Sequence, residues 1–288
     1  MHTVGTARSW AIGEFKGAQV EAPEASADLL LGLVLGWDRV RVLSRFEHPL
    51  GEEAWIRFQD LVRRRAKGEP LQHLTGQQEF YGLLFHVTPD VLIPRPETEL
   101  LVEEALNLIR GLSLPETRFL DVGTGSGCIA AAIAYEIPAS VGWAVDISEA
   151  ALRVARDNAV RHGVAQRILF IQANLLECFP PAPAFHFILS NPPYVALEEY
   201  DSLPAAVRDH EPSGALLGGE DGLKIYRRLI PGVSSRLMPG GYLLLELGAG
   251  QQERVEQLVG TGGLSLHRVL NDLQGIPRCL VARKPCRE

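Results

Sequence analysis

The chain has few cysteines, no long apolar run and no excess of basic residues, and each of these absences excludes a class of protein. Its cysteines, Cys128, Cys178, Cys279 and Cys286, form no Cys-x-x-Cys or Cys/His cluster. Neither a disulfide framework nor a zinc site is predicted from such spacing. The longest apolar run, Leu29 to Leu35, is too short for a bilayer, and the start lacks a basic segment followed by an apolar one. We expect a soluble cytoplasmic protein.

The charge distribution argues against a surface that follows nucleic-acid phosphates. The net charge is −7, and the first 75 residues balance ten basic against ten acidic residues, so the excess acid lies in the remainder. The basic cluster Arg63-Arg64-Arg65 ends a helical pattern, where cations complement the helix dipole, although a partner-binding patch is an alternative interpretation. We therefore expect no direct binding of nucleic acid.

Hydrophobic periodicity divides the 288 residues into a helical N-terminal part and an alternating remainder. Residues 1–75 are predicted to be helical, and residues 76–95, with aromatic and β-branched residues between turns, predict a β-hairpin linker. From residue 96 onward, predicted helices alternate with predicted strands at 119–122, 141–145, 168–172, 185–190, 241–247, 264–270 and 278–282. This alternation predicts an α/β fold with a doubly wound, mainly parallel sheet whose ligands bind at the carboxyl ends of strands.

The tetrapeptide Asn191-Pro192-Pro193-Tyr194, which follows the apolar run 185–190, is the most informative motif. A planar amide or exocyclic amine is a poor nucleophile because its lone pair is delocalised. The Asn191 side-chain oxygen and the Pro192 carbonyl can act as two rigid acceptors that redirect this lone pair, since both prolines have a fixed φ and no N–H. Tyr194 offers a flat face for the target group. The motif predicts methylation of a planar nitrogen, although a turn that merely ends a strand is equally compatible with Asn-Pro-Pro.

A glycine loop, Gly123-Thr124-Gly125-Ser126-Gly127, follows the strand predicted at 119–122. Glycines let the backbone approach a ligand closely and bring helix N-terminal N–H groups near it. The dinucleotide fingerprint needs its third glycine one position later, where this chain has Cys128, so the spacing argues against a nicotinamide or flavin cofactor. Asp146 ends the next apolar run, where an α/β nucleotide site places a carboxylate against ribose hydroxyls. Loop, acid and tetrapeptide in this order are together a strong signal.

With these motifs the chain resembles the release factor glutamine methyltransferase family, which modifies the glutamine of the Gly-Gly-Gln motif in peptide chain release factors. The resemblance covers most of the chain, and its further matching segments are residues 69–76, 80–82, 91–99, 211–212 and 218–223. The segment Ile93 to Glu99 is more specific than the tetrapeptide, which adenine-N6 DNA and guanine-N2 RNA methyltransferases share. The resemblance implies a seven-stranded Rossmann-like methyltransferase sheet in a domain at 96–288. This domain follows a small helical substrate-docking domain at 1–75 and the hairpin linker at 76–95.

The resemblance also implies a role for each matching residue, with S-adenosylmethionine as the cofactor. The cofactor would lie over the glycine loop, with its ribose on Asp146 and its adenine beside Ile147 and the Asn174-Leu175 pair. Similar enzymes usually carry Asp at the position of Asn174, but an asparagine oxygen can still accept a hydrogen bond. Arg95 and Thr98 would lie near the methionine end, unless they only form an interdomain hinge. The full implied cofactor set is Arg95, Thr98, Gly123, Thr124, Gly125, Ser126, Gly127, Asp146, Ile147, Asn174, Leu175 and Asn191, and the implied substrate set is Asn191, Pro192, Pro193 and Tyr194.

Two other functions remain open on the sequence. A nucleic-acid amino methyltransferase could use the same acceptors on an adenine amine, with Tyr194 stacked on a flipped base, but such enzymes need a basic groove or a recognition domain. A non-catalytic protein could keep the fold and bind the cofactor alone, but the intact tetrapeptide argues against this. His210, Glu211 and Glu246 could line the substrate cleft, although a purely structural role is the more common one for such residues.

Overall fold

The computed structural model describes residues 2–112 and 114–286, which form two compact units. The first unit comprises the residues up to Gln77 together with Pro204–His210, and the second comprises Gln78–Leu203 and the residues from Glu211 onward. In chain order the elements are β1 His2–Thr3, α1 Val4–Gly17, α2 Pro23–Leu35, α3 Arg39–Ser44, β2 Pro49–Leu50, α4 Glu52–Ala66, α5 Leu71–Thr75, β3 Gln77–Phe80, β4 Leu83–His86, α6 Pro96–Leu112, β5 Thr117–Val122, α7 Cys128–Glu136, β6 Ser140–Asp146, α8 Glu149–Arg161, β7 Ile168–Gln172, β8 Phe185–Ser190, α9 Leu197–Tyr200, α10 Ala205–Arg208, α11 Ser213–Leu216, α12 Lys224–Arg236, β9 Leu237–Glu246, α13 Gln252–Thr261, β10 Ser265–Asn271 and β11 Pro277–Arg283.

The first unit is helical, as its apolar spacing predicts. Thr3 caps α1 by accepting a hydrogen bond from the Thr6 N–H at 3.2 Å, and α2 starts at Pro23, whose missing N–H costs nothing in a first turn. Its core is formed by fully buried side chains of α1, α2 and α4, among them Phe15, Leu30 and Phe58. Burial of these side chains stabilises short helices that would be marginal alone.

The second unit contains a seven-stranded sheet with strand order β10-β11-β9-β8-β5-β6-β7. Neighbouring strands within the part β9-β8-β5-β6-β7 pair in parallel. Strand β11 pairs antiparallel with both β9 and β10. Two separate buried clusters cover the two faces, one built with α6 and α7 and the other with α12 and α13. A sheet with helices on both faces confirms the predicted doubly wound α/β class.

Most predicted elements of this unit are confirmed within a few residues, with two differences. The strand predicted at 241–247 begins earlier, at Leu237, and passes through Gly240 and Gly241. The short helices α9, α10 and α11 have no counterpart in the prediction, because a segment of four residues is too short to show a helical period. Among the described residues, every helix is too short or too polar to cross a membrane.

The strand order creates a switch point between β5 and β8. From β5 the chain continues to β6 and β7 on one side, and it then returns to place β8 on the other side of β5. Ligands of open α/β sheets bind in the crevice at the carboxyl ends of strands that flank such a point. The glycine loop follows β5 and Asn191 follows β8, so the fold brings the two strongest motifs to one crevice.

Candidate functional site

A cavity of about 390 Å³ lies at the carboxyl ends of the parallel strands in the second unit. Eleven of the twelve residues predicted for the cofactor line it: Arg95, Thr98, Gly123, Thr124, Gly125, Ser126, Asp146, Ile147, Asn174, Leu175 and Asn191. Pro193 lines it as well, whereas Gly127, Pro192 and Tyr194 are not among the lining residues. The volume is that of a typical small-molecule site.

The glycine loop is fixed by backbone hydrogen bonds to the neighbouring strand β6. The N–H groups of Gly123 and Thr124 donate to the Val145 carbonyl at 2.8 and 2.9 Å. Gly127 has a φ of +80°, and a Cβ atom there would lie 2.9 Å from the Cβ of Ala155 in α8. Gly127 therefore supports the loop from behind, where close packing against α8 leaves no room for a side chain.

Asp146 joins the end of β6 to the glycine loop. Its carboxylate accepts hydrogen bonds from the backbone N–H of Gly125 and of Ser148, both at 2.9 Å. Burial raises the pKa of this carboxyl above its usual range, and the two N–H groups oppose the rise. A carboxylate has about four lone-pair sites, so Asp146 can accept further hydrogen bonds from a ligand in the cavity.

Two apolar side chains, those of Ile147 and Leu175, line the cavity. The Ile147 side chain is 69% exposed although it is apolar, and Leu175 has a φ of +55°, which is unusual for a residue with a branched side chain. Both residues line the cavity together with Asn174. An exposed isoleucine and an asparagine amide that line one cavity are suited to an aromatic ring that carries an amino group.

Asn191 lies where β8 ends beside β5. The preceding residue, Ser190, is buried and donates its hydroxyl hydrogen bond to the Val122 carbonyl of β5 at 2.7 Å. The Asn191 Nδ2 group donates to Thr98 Oγ1 at 3.1 Å, and the following residue, Pro192, is buried. The asparagine is therefore held between the sheet and the first turn of α6.

Thr98, the partner of Asn191, also belongs to a hydrogen-bonded group of three side chains, which we call the Glu246 network: Thr98, Tyr194 and Glu246. The Thr98 hydroxyl donates to Glu246 Oε2 at 2.5 Å, and the Tyr194 hydroxyl donates to Glu246 Oε1 at 3.2 Å. Burial raises the pKa of Glu246 to about 7, and its hydrogen bonds from Thr98 and Tyr194 oppose the rise. Burial likewise holds the pKa of Tyr194 well above its usual range, so this phenol stays protonated.

Arg95 makes an ion pair at the side of the cavity. Its guanidinium lies 2.5 Å from Glu211 Oε1, and the Ile93 N–H donates to Glu211 Oε2 at 3.2 Å. Burial raises the pKa of Glu211, an effect that the Arg95 charge opposes. Glu211 thus ties the 91–95 segment to the 212–215 segment, and both segments line the cavity.

Another buried carboxyl is hydrogen-bonded to the glycine loop. Asp121 of β5 is fully buried, and its Oδ2 accepts the Thr124 hydroxyl hydrogen bond at 2.6 Å. Burial raises the pKa of Asp121 to about 7, while the hydrogen bond from Thr124 acts in the opposite direction. This contact fixes Thr124, which lines the cavity.

The backbone after Asn191 is supported by close packing against glycines. The Gln251 side-chain NH2 donates to the Tyr194 carbonyl at 2.9 Å, and Gln251 Oε1 accepts from the Gly248 N–H at 3.2 Å. A Cβ atom at Gly218 would lie 2.8 Å from the Pro193 carbonyl oxygen, and one at Gly222 would overlap the Tyr194 carbonyl. The backbone of the tetrapeptide is therefore held in place by a rigid backing, by which we mean the Gln251 hydrogen bond and the close contacts with Gly218 and Gly222.

Several cavity residues were not predicted from the sequence. They are Asp90, Val91, Leu92 and Pro94 before α6, Cys128 and Ile129 of α7, Val145 of β6, Ser148 and Ala151 at the start of α8, Ala173 after β7, Pro212, Gly214 and Ala215 near α11, and Ile225 and Arg228 of α12. The matching segments 91–99 and 211–212 contained part of this signal, but their place in the cavity depends on contacts between distant parts of the chain.

Known proteins resemble this chain over most of its length. Residues 6–76 match the PrmC N-terminal domain and residues 98–207 match the methyltransferase small domain. The release factor glutamine methyltransferase of Koribacter versatilis is 43% identical over 96% of this chain and 96% of its own length. The enzyme of the same name from Bradyrhizobium diazoefficiens is 39% identical over 98% of this chain and 95% of its own length.

A solved methyltransferase structure from Pyrococcus furiosus superposes with a TM-score of 0.52 at 16% identity, over 79% of this chain and 99% of that one. At this identity the similarity shows the fold alone. The relatives at 39–43% identity, which match nearly end to end, show the family. The chain belongs to the release factor glutamine methyltransferase family.

Proposed function

We propose that this protein transfers a methyl group from S-adenosylmethionine to the side-chain amide nitrogen of the glutamine in the Gly-Gly-Gln motif of peptide chain release factors. The observation that carries the proposal is the position of Asn191, which lies at the cavity wall with its Nδ2 group held by Thr98. Its Oδ1 atom is then the free acceptor of the amide. The family to which the chain belongs supplies the substrate class.

The residues of the cavity fit S-adenosylmethionine. Asp146 offers a fixed carboxylate for the ribose hydroxyls, Ile147 and Leu175 offer apolar surface for the adenine, and Asn174 offers an amide for its amino group. When bound, the cofactor supplies an electrophilic methyl group on its sulfonium. Within the described chain, no group of three or more His, Cys, Asp or Glu side chains is placed to hold a metal ion.

The residues of the protein would act by orienting the substrate amide. The Asn191 oxygen and the Pro192 carbonyl would accept the two hydrogen atoms of the glutamine amide, which turns the nitrogen lone pair away from its conjugated plane. Tyr194 would pack on the amide plane. Methylation makes the nitrogen cationic and acidic, so its extra proton leaves to water or along the hydrogen bond to Asn191. Orientation and fixed acceptors of this kind contribute on the order of 7 to 11 kcal/mol at best.

Family membership also weighs against the nucleic-acid alternative, since the near full-length relatives carry the name of a release factor enzyme. The net charge of −7 agrees, because a duplex-binding enzyme needs a basic groove. Translation termination takes place in the cytoplasm, so the proposed substrate would place the enzyme there.

The test is to incubate the protein with methyl-labelled S-adenosylmethionine and either release factor or duplex DNA, and to locate the label by mass spectrometry. We expect label on the Gly-Gly-Gln glutamine and none on a release factor whose motif glutamine is replaced. Label on DNA alone would contradict the substrate. Cofactor binding with no transfer to either would favour the non-catalytic alternative.

Asn191→Ala should lower kcat by about 100-fold or more, as loss of one fixed polar group in an active site does, while cofactor affinity stays largely intact. Asn271→Ala is the matched control, because Asn271 is an exposed residue at the end of β10 and does not line the cavity. An Asn191→Ala enzyme as fast as the control would show that the acceptor model is wrong.

A further inference from the structure

The Glu246 network leaves only one arrangement of hydrogen atoms when Glu246 is ionised. A carboxylate can only accept hydrogen bonds, so the hydroxyl proton of Thr98 must point to Glu246 Oε2. The lone pairs of Thr98 Oγ1 then face Asn191, which must present its NH2 group to them. The ionised Glu246 thus fixes the hydroxyl proton of Thr98, and Thr98 in turn fixes the NH2 group of Asn191.

An asparagine amide without such a constraint can turn over about its last side-chain bond with little change of shape, which exchanges its oxygen and its nitrogen. A turned Asn191 would present an N–H donor to the N–H groups of the substrate amide. Two donors facing each other give repulsion in place of a hydrogen bond. The direction of the Asn191 amide therefore decides whether the residue can serve as an acceptor.

We propose that Glu246, acting through Thr98, sets the direction of the Asn191 amide so that Oδ1 faces the substrate nitrogen. This makes Thr98 and Glu246 positioning residues for the transfer, and it gives Thr98 a different role from the cofactor contact that the family resemblance implies. The inference rests on the proposed function, because it assumes that Asn191 accepts from the substrate amide. Both positioning side chains are almost completely buried, at 2% exposure for Thr98 and 1% for Glu246.

The protonation state of Glu246 gives the network a pH dependence. A protonated Glu246 can donate to Thr98, which frees the threonine hydroxyl to donate to a turned Asn191. The productive direction is enforced above the pKa of Glu246, which lies at about 7, and it is lost as the pH falls below that value. The other titratable or charged groups that act on Glu246 are Glu97 of α6, Cys128 of α7, Tyr194, Tyr226 of α12, and Arg278 and Cys279 of β11.

The deciding experiment compares Thr98→Val with Thr98→Ser in the full-length chain with release factor as substrate. Valine has the shape of threonine but no hydroxyl, so we expect kcat to fall by about 10- to 100-fold, the range for loss of a residue that orients a metal ligand through a hydrogen bond. The dissociation constant for S-adenosylmethionine should stay unchanged. Serine keeps the hydroxyl and should recover most of the lost rate.

Glu246→Gln is the second variant, and it also serves if the valine variant does not fold. A glutamine can present either its oxygen or its NH2 group to Thr98, but this choice does not depend on pH because the side chain does not titrate. We expect kcat of the wild-type protein to fall as the pH drops below about 7, and we expect this fall to be absent in Glu246→Gln. An unchanged acidic fall in the variant would overturn the role of Glu246.

Two outcomes for Thr98 would overturn the proposal: a valine variant with wild-type kcat, or one whose only defect is weaker cofactor binding. Failure of the proposed function is recognised separately, because then the wild-type protein itself would not label release factor. In that case the network is still tested by NMR of the Asn191 side-chain NH2 group. We expect its protons to exchange slowly with water in the wild-type and Thr98→Ser proteins and rapidly in Thr98→Val.

Discussion

Gly222 offers a sharp test of the rigid backing behind the tetrapeptide. Its φ is +74°, and a Cβ atom there would overlap both the Tyr194 carbonyl oxygen and Gln251 Nε2. These are the two groups that hydrogen bond to each other at 2.9 Å. Gly222→Ala therefore combines a strained backbone conformation with a direct overlap against the segment that carries Asn191.

Gly250→Ala separates these two effects. Gly250 has nearly the same φ, +75°, but a Cβ atom there would meet nothing within 4 Å. Each alanine should cost about 1–2 kcal/mol because of the left-handed conformation. Only Gly222→Ala adds the cost of overpacking, about 1–3 kcal/mol.

The assay is a thermal melt of both variants under identical conditions, followed by steady-state kinetics. In a unit of roughly 150–250 residues, each kcal/mol shifts Tm by about 2–4 °C, so an excess of about 2 kcal/mol should place Gly222→Ala roughly 4–8 °C below Gly250→Ala. Displacement of Tyr194 should also lower kcat in Gly222→Ala alone. Equal melting temperatures and equal rates for the two variants would show that the close packing against Tyr194 does not matter.

Two further predictions concern the carboxyls of Asp146 and Asp121. Asp146→Ala should weaken S-adenosylmethionine binding by about 10- to 100-fold, the range for loss of hydrogen bonds to a charged group, and an unchanged dissociation constant in calorimetry would reject the ribose contact. The pKa of Asp121 rises on folding from 3.8 to about 7, so the folded state holds the proton more tightly and the free energy of unfolding should fall as pH increases through this range. Asp121→Asn should flatten that fall in urea titrations at several pH values, whereas an identical slope would contradict the high pKa.

The sequence predicted the central strands well because they are largely buried, as in β5 and β8, and because each apolar run stops at a glycine or a polar residue. The strand β8 and the glycine loop after β5 show this, since apolar runs end abruptly at Asn191 and at Gly123. The predicted start of β9 is too late because Gly240-Gly241 resembles a turn, whereas the pairing of Leu237 with Phe185 of β8 extends the strand to the other side of these glycines.

The candidate site was predicted as a set of residues but not as a network. The position of Asp146 at a strand end could be deduced from the chain alone, and so could that of Asn191. Glu246 looked like one of several polar residues near a cleft, because its partner Thr98 lies 148 positions earlier in the chain. A carboxylate at the end of an apolar strand is the only local sign, and it does not reveal the partner.

The first unit has a consequence for dissection of the protein. Because Pro204–His210 groups with the N-terminal residues, two separate stretches of chain build this unit, and a single cut at the boundary near Gln77 does not release it whole. A fragment that starts after Gln77 would still contain Pro204–His210 but would lack the N-terminal residues that form the rest of this unit. Immediately after them comes Glu211, the partner of Arg95. Modular exchange of the N-terminal unit between relatives therefore requires two coordinated replacements, and the second one ends next to a residue that shapes the cavity.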